Sequence, residues 1–301
     1  MWTSKNRVRY DRSKLRYPSD LTDDEWLLVE PLIPPGKTGG GKRTVIMREV
    51  VNGLMYILST GCQWRAIPKD LPPKSSVYDY FDLWAYDGTL ARIHHALYER
   101  CREQAQREAS PTAAIIDSQS VKSAEKGGAC IDPHGYDAGK KIKGKKRHIL
   151  VDTLGLLLHA IVHPADIQDR DGGVIVMATL FGMFPFLKTL FADGGYQGPQ
   201  FARALAKVLP HLDVEIVKRS DRVSGFVVLP KRWIVERSIA WLNRCRRLAK
   251  DWENLNRKAP AILKVGHLGG SHSIFWVFSS SGGIVKVARA SRKTGQEGKI
   301  A

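Results

Sequence analysis

Three acidic residues stand where they could do chemistry together. Asp117 closes the apolar run Ala113-Ala114-Ile115-Ile116, and Asp193 closes Thr189-Leu190-Phe191-Ala192. Each reads as a carboxylate at the end of a buried strand, the edge at which open α/β sheets commonly meet their ligands. Glu236 lies in a helical stretch, at the border of an apolar stripe formed by Val235, Ile239, Leu242, Cys245, Ala249 and Trp252. Carboxylates from two strand ends and a packed helix can hold Mg²⁺ or Mn²⁺ through oxygen ligands. Two such ions about 4 Å apart can activate an attacking oxygen and stabilise a leaving one in phosphodiester cleavage or transfer. The same residues admit plainer readings. Asp193-Gly194-Gly195 is also a turn signal, Asp117 a turn or helix cap, and Glu236 half of an i,i+4 pair with Arg232 on a solvated face.

The setting of these acids is basic. The 301 residues carry 47 Lys+Arg against 30 Asp+Glu, a formal charge of +17. Such an excess repels itself unless a polyanion relieves it, and nucleic acid is the commonest such partner. Residues 231–250 hold seven bases around one acid, and residues 139–147 hold six bases in nine positions. The second run, with Lys140, Lys141, Lys143, Lys145, Lys146 and Arg147, follows the first strand and reads as a loop. It is expected to contact phosphates near the active edge, positioning DNA without reading its sequence; a merely solvated basic loop is the alternative.

Other signals carry less. Residues 36–43 nearly fit a P-loop, but Arg43 replaces the Ser/Thr and Pro34-Pro35 the preceding strand. His159 and His163 fall on a predicted strand, where a spacing of four spans about 13 Å, too far for one metal. The four cysteines form no C-x-x-C pair, which speaks against structural zinc or a disulfide framework and for the reduced cytoplasm. The N-terminus has no signal-peptide pattern. The longest apolar stretch, residues 174–187, is broken by Gly182 and Pro185 and is too short to span a bilayer; no membrane partner is expected.

The elements that must position the acids fall into four segments. Residues 1–20 are a basic arm. Residues 21–109 read as all-helical: Thr22 and Glu25 form a capping box before the first helix, and further helices are expected at 45–58, from Ser75 or Ser76 through Trp84, and at 89–108. Their apolar stripes suit a DNA-reading helix-turn-helix or any small helical bundle. Residues 110–259 give a strand at 113–117, a polar stretch, and a hairpin of 148–151 and 156–162 about residues 152–155. A helix at 173–184, a strand at 189–193, a helix at 200–209, a strand at 214–217 and a long helix at 233–255 complete the set. That order predicts a mixed α/β sheet flanked by helices. Residues 260–301 form the fourth segment, a tail.

The blocks Ile115-Ile116-Asp117-Ser118-Gln119-Ser120-Val121-Lys122, Ala192-Asp193-Gly194-Gly195-Tyr196, and Arg232-Trp233-Ile234-Val235-Glu236-Arg237 with Ala240-Trp241-Leu242-Asn243-Arg244 resemble the three catalytic blocks of bacterial insertion-sequence DDE transposases, insertion-sequence family five above all. Leu21-Thr22-Asp23-Asp24-Glu25-Trp26 and Gly61-Cys62-Gln63-Trp64-Arg65 resemble that family's helical leader. The likeness runs over roughly residues 17–258, with several blocks in order. It implies a ribonuclease H-like catalytic domain in which Asp117, Asp193 and Glu236 are catalytic and bind metal, Mg²⁺ with Mn²⁺ as substitute. It implies cleavage at terminal inverted repeats and strand transfer into target DNA, double-stranded DNA as partner, a homodimer in the synaptic complex, and a cytoplasmic, nucleoid-associated enzyme. Arg232, Arg237 and Arg244 then join the basic run as expected DNA contacts.

Two departures bear on that reading. Leu229 stands where the third block often has Tyr, and Asn243 where it has a later basic residue, with Arg244 adjacent. Beyond about Pro260 the family's basic, Leu-rich final helix is not evident, so the tail reads as an altered terminus. A non-catalytic repeat-binding regulator, or an inactivated transposase relic, is therefore the alternative function; a ribonuclease H-like nuclease without strand transfer is the rival with the same chemistry.

Overall fold

A computed structural model describes residues 11–36, 38–39, 41–124, 131–180, 182–217 and 229–269. Residues 1–10 of the arm, Cys130 and residues 270–301 of the tail lie outside the described residues. Both halves of the capping box form: the Thr22 hydroxyl accepts from the Glu25 N–H, and the Glu25 carboxylate accepts from the Thr22 N–H, opening α1 (Asp23–Val29). Helices α2 (Met47–Thr60), α3 (Lys74–Tyr86) and α4 (Thr89–Gln104) follow. Helix α3 starts at Lys74 behind Pro73, without a side-chain cap. The two serines expected to cap it lie inside its first turn instead.

The sheet has strands β1 (Ala113–Lys122), β2 (Gly135–Asp137), β3 (Ile142–Asp152), β4 (Leu157–Pro164), β5 (Thr189–Ala192) and β6 (Asp213–Ile216). Helices α5 (Asp169–Ala178), α6 (Pro199–Val208), α7 (Pro230–Leu242) and α8 (Ala259–Gly269) complete the described chain. Strand β1 is central, antiparallel to β3 on one side and parallel to β5 on the other. Beyond β5 lies β6, parallel to it, and β3 carries β2 and β4 on its far edge. The hairpin turns where expected. Asp152 closes it by accepting the N–H groups of Leu154 and Leu156 at 2.9 Å each, and it also takes the buried Arg102 guanidinium of α4. That ion pair docks the helical segment on the sheet, and one continuous apolar core runs from Leu21 to Leu268.

Several elements differ from the sequence reading. Strand β1 continues past Asp117 for five residues, because Ser118 and Ser120 pair opposite His148 and Lys146 and are buried there. The basic run is not a loop: from Ile142 onward it is the first half of β3. Helix α7 ends at Leu242, and the chain then turns through a 3₁₀ segment at Arg246–Leu248 to bridge Asp251 to Ser123. The last helix among the described residues is α8, which is apolar rather than basic. In α8, Ile262, Leu263, Val265 and Leu268 are buried against α2, α4 and β4. Among the described residues no helix is long and apolar enough to cross a membrane.

Candidate active site

The parallel pairing of β1 and β5 sets Ile115 opposite Phe191. Two residues further along each chain, on the same register, come Asp117 and Asp193. The two carboxylates are thus placed level with each other by backbone pairing, although Asp117 lies within its strand rather than at its end. Asp193 leaves β5 and caps a 3₁₀ turn, Gly194–Tyr196, accepting the Gly195 N–H at 2.9 Å. Gly195 suits that turn because a Cβ there would lie 3.0 Å from Asp193 Oδ1 and 3.4 Å from Asp169 Oδ2.

Helix α7 packs over β1, β3 and β5. It seats Val235 in the core at 1% exposure and sets Arg232 beside a small pocket shared with Ile116, Asp117, Ala192 and Asp193. Glu236 is one turn further on. Arg232 Nε lies 2.9 Å from Glu236 Oε1, the i,i+4 pair anticipated as the plain reading, and Arg232 Nη2 lies 3.8 Å from Asp193 Oδ2. The guanidinium therefore stands between the second and third acids. Among the described residues no three His, Cys, Asp or Glu side chains converge closely enough to hold a metal ion.

The donor set nevertheless suits a hard divalent cation. All three acids offer carboxylate oxygens, the ligands of Mg²⁺ and Mn²⁺ rather than of zinc. Burial pushes the Asp117 carboxyl up to about 6; the Ser118 N–H bond opposes this, and the charge of Asp193 adds to it. The charges of Lys140 and Arg232 only partly offset this, and a dication would supply more.

Behind β1, on the face away from Asp117, lies a second polar cluster. Ser118 Oγ donates to Asp169 Oδ1 (2.8 Å), and Lys146 Nζ meets the same oxygen at 3.0 Å and Asp137 at 3.5 Å. Lys140 Nζ donates to the Ser118 carbonyl (3.0 Å) and hydroxyl (3.2 Å). Burial raises Asp169, but its bonds from Lys146 and Ser118 and the lysine charges outweigh that and hold the carboxyl below its usual range. Sequence reasoning missed Asp169 and Ser118. The signal was there in the alternation of β1 past Asp117, where serine and lysine occupied positions that looked like loop.

The expected DNA contacts divide into two groups. Lys145, Lys146 and Arg147 are buried and turned inward, a correction to their reading as a phosphate-gripping loop. Lys145 Nζ donates to the carbonyls of Asp132 and Pro133 and to Asn256 Oδ1 at 2.7–3.0 Å. Arg147 donates to the Leu248 and Lys250 carbonyls, and burial lowers it to about 10. Lys140, Lys141, Lys143, Arg232 and Arg244 remain exposed. Arg237 is half-buried, bonded to the Leu154 carbonyl (3.1 Å) and stacked 4.7 Å over Trp241. Asn243, at the position where a base was anticipated, accepts from Gln119 Nε2 at 3.0 Å and ties the end of α7 to β1.

An antiparallel three-strand unit continued by two parallel strands, with acids on the central strand, after its parallel neighbour and on a covering helix, defines the ribonuclease H-like class. Residues 108–265 match the family described as "Transposase DDE domain", and residues 21–94 match "Putative transposase of IS4/5 family". The chain belongs to the DDE transposases of bacterial insertion sequences, enzymes that bind DNA and work with a divalent metal. Two relatives come from Burkholderia cepacia. The "Insertion element IS402 uncharacterized 16.2 kDa protein" is 33% identical over 109 residues, 34% of this chain and 73% of the relative. The "Putative transposase for insertion sequence element IS402" is 31% identical over 134 residues, 41% of this chain and 60% of that relative's length.

Proposed function

We propose that this transposase nicks DNA at the terminal inverted repeats of its insertion sequence and joins the freed 3′ ends to target DNA. Asp117, Asp193 and Glu236 would hold Mg²⁺, with Mn²⁺ as substitute. The observation that carries this reading is the parallel β1–β5 register, which sets two carboxylates level beneath the helix that bears the third. The metal, when bound, supplies activation of the attacking oxygen and stabilisation of the leaving one. Asp117 and Asp193 provide the fixed oxygens. Glu236 joins them when Arg232 lets go, and the freed guanidinium is then available to a phosphate. Lys140, Lys141, Lys143, Arg237 and Arg244 complete a backbone-gripping surface. In-line displacement by an oxygen nucleophile needs no covalent link between protein and DNA.

The same reading assigns residues 21–109 to reading the repeats and residues 110–259 to catalysis. It places the enzyme in the cytoplasm on the nucleoid, as a homodimer when two ends are cut together. The Arg232–Glu236 pair and Asn243 favour a second reading, a repeat-binding regulator without catalysis. Labelled duplex carrying the repeats, incubated with Mg²⁺, Mn²⁺ or EDTA, separates the two. Metal-dependent nicks at the repeat ends, reduced by at least about a thousandfold in Glu236→Gln, are expected. Binding of the repeats without nicks under either metal establishes the regulator.

A further inference from the structure

Lys146 is a lysine at 5% exposure in the middle of a sheet, and it neutralises an acid that lies against both the segment of Asp117 and the turn after Asp193. Asp169 opens α5, accepts the hydroxyl of Ser118, and sets its other oxygen beside Gly195. Ser118 follows Asp117 directly, and Gly195 donates to Asp193. Tyr196 of the same turn shares a hydroxyl contact with Ser118, bonds His148 Nδ1 at 3.1 Å, and presses its ring against α5 at Gly173. On the strand side, Asp137 accepts from Ser120 Oγ (2.5 Å) and from the Lys140 N–H, and Lys146 joins Asp137 to Asp169. The pairing of Ser120 with Lys146 and of Ser118 with His148 puts all of this on the face of β1 opposite Asp117.

A buried ion pair is seldom the most stable filling for a core, since an apolar pair of equal volume does as well or better. What this pair offers instead is a rigid link between two segments that must keep their carboxylates in register. We propose that Asp169 and Lys146 are positioning residues for the transposition reaction: the pair holds β1 and the Gly194–Tyr196 turn together from behind, so that Asp117 and Asp193 present their oxygens as one preformed set. Lys146 thus contributes to catalysis from inside the protein and does not touch DNA. Partners behind metal ligands typically change metal affinity or rate by about 10–100-fold when removed. The inference rests on Asp117 and Asp193 being metal ligands.

The test uses the full chain and compares Ser118→Ala, the double variant Asp169→Asn/Lys146→Met, and Asp193→Asn. Four quantities are read: Mn²⁺ affinity without DNA, nicking rate on repeat-end duplex, duplex Kd, and the slope of log K against log salt. The double variant removes both charges of the Asp169–Lys146 pair together, and Asp137 keeps the Ser120 hydroxyl and the Lys140 N–H that it already accepts. It is expected to bind duplex with unchanged Kd and slope, to bind Mn²⁺ about tenfold more weakly, and to nick about 10–100-fold more slowly. Ser118→Ala, a change small enough to fold if the double variant does not, is expected to move the same two readouts in the same direction. Wild-type Mn²⁺ affinity and nicking in Ser118→Ala and in any folded double variant overturn the proposal. So does a duplex affinity lowered together with a salt slope reduced by about one, which marks Lys146 as a phosphate contact. If Asp193→Asn itself keeps wild-type Mn²⁺ affinity and nicking, the ligand assignment is wrong and the proposal falls with it.

Discussion

Arg232 and Lys146 show two ways in which one protein uses a cation beside a carboxylate. Lys146 is enclosed, and among the described residues it is the cation nearest to both of its acid partners. Arg232 and Glu236 are each 43% exposed, and exposed ion pairs are worth only about 0–1 kcal/mol. Such a pair is easily displaced. Placed between Asp193 and Glu236, the guanidinium opposes an incoming dication, and once displaced it is free for a phosphate. Replacing Arg232 by Gln should therefore tighten Mn²⁺ binding in the absence of DNA by about two- to fivefold, the equivalent of roughly 0.5–1 kcal/mol. The same change should slow nicking of repeat-end duplex. A Mn²⁺ titration followed by electron paramagnetic resonance reads the first effect directly, and unchanged affinity would mean that the guanidinium does not compete. None of this distinction was legible in the sequence, where Lys145, Lys146 and Arg147 looked as exposed as Lys140 and Lys143. Six bases in nine residues outweigh, to the eye, the strand whose uninterrupted burial encloses the last three.

Helix α5 sets the distance at which Asp169 meets the sheet, and Gly172 sets the distance of α5. A Cβ on Gly172 would fall 2.2 Å from His148 Nε2 and 2.5 Å from His163 Nε2, the two imidazoles being stacked 4.8 Å apart under the helix. Neither ring can retreat into a packed interior without cost. Gly172→Ala is expected to destabilise the fold by roughly 1–3 kcal/mol through overpacking, despite the better helix propensity of alanine, and to slow nicking beyond what the stability loss explains, because Asp169 moves with α5. Chemical denaturation paired with single-turnover nicking checks both. The same Gly172-Gly173 pair explains why the start of α5 was misread: two glycines weaken the helical signal, so the sequence pointed to 173–184 and left Asp169 in a loop. Where local chemistry and tertiary demand agree, the reading held, as in the Thr22–Glu25 box, the hairpin about Asp152, and β5 with its closing Asp193. It failed where tertiary pairing extends an element through polar residues, as in β1 beyond Asp117, or ends one early, as in α7 at Leu242. The two acids on strands were visible because apolar runs precede them; their shared register was not, since parallel pairing joins residues far apart in the chain.

At the scale of the whole molecule, a chain with a formal charge of +17 keeps five histidines uncharged inside it. His267 of α8 accepts the Leu157 N–H on Nε2 and so presents its Nδ1–H to His94 of α4, at 3.1 Å in each case. That fixes both rings as neutral tautomers between helical segment and sheet. Burial pushes His148 and His267 down to about 3 and His159 to about 4, holds His163 below its usual range, and takes His94 well below it, with His267 and Lys264 adding repulsion at His94. A histidine depressed in the fold contributes stability that is complete above its unfolded value near 6.5. It is lost as pH falls, because the unfolded chain takes up protons that the folded one refuses. Asp117 and Asp251, raised by burial, act the other way over part of that range, but they are two against five. At pH 5 each of the three deepest-shifted histidines with a defined value gives up roughly 2 kcal/mol relative to pH 8. Their sum of roughly 6 kcal/mol is comparable to the whole stability of an ordinary domain, and every proton gained adds to an already repulsive net charge. The melting temperature should therefore fall steeply between pH 6.5 and 4. Replacing His94 and His267 together by an apolar pair should flatten that fall, since two of the five protonations that favour the unfolded chain are gone. A pH series of thermal melts on the two proteins measures it, and parallel curves would place the acid lability elsewhere.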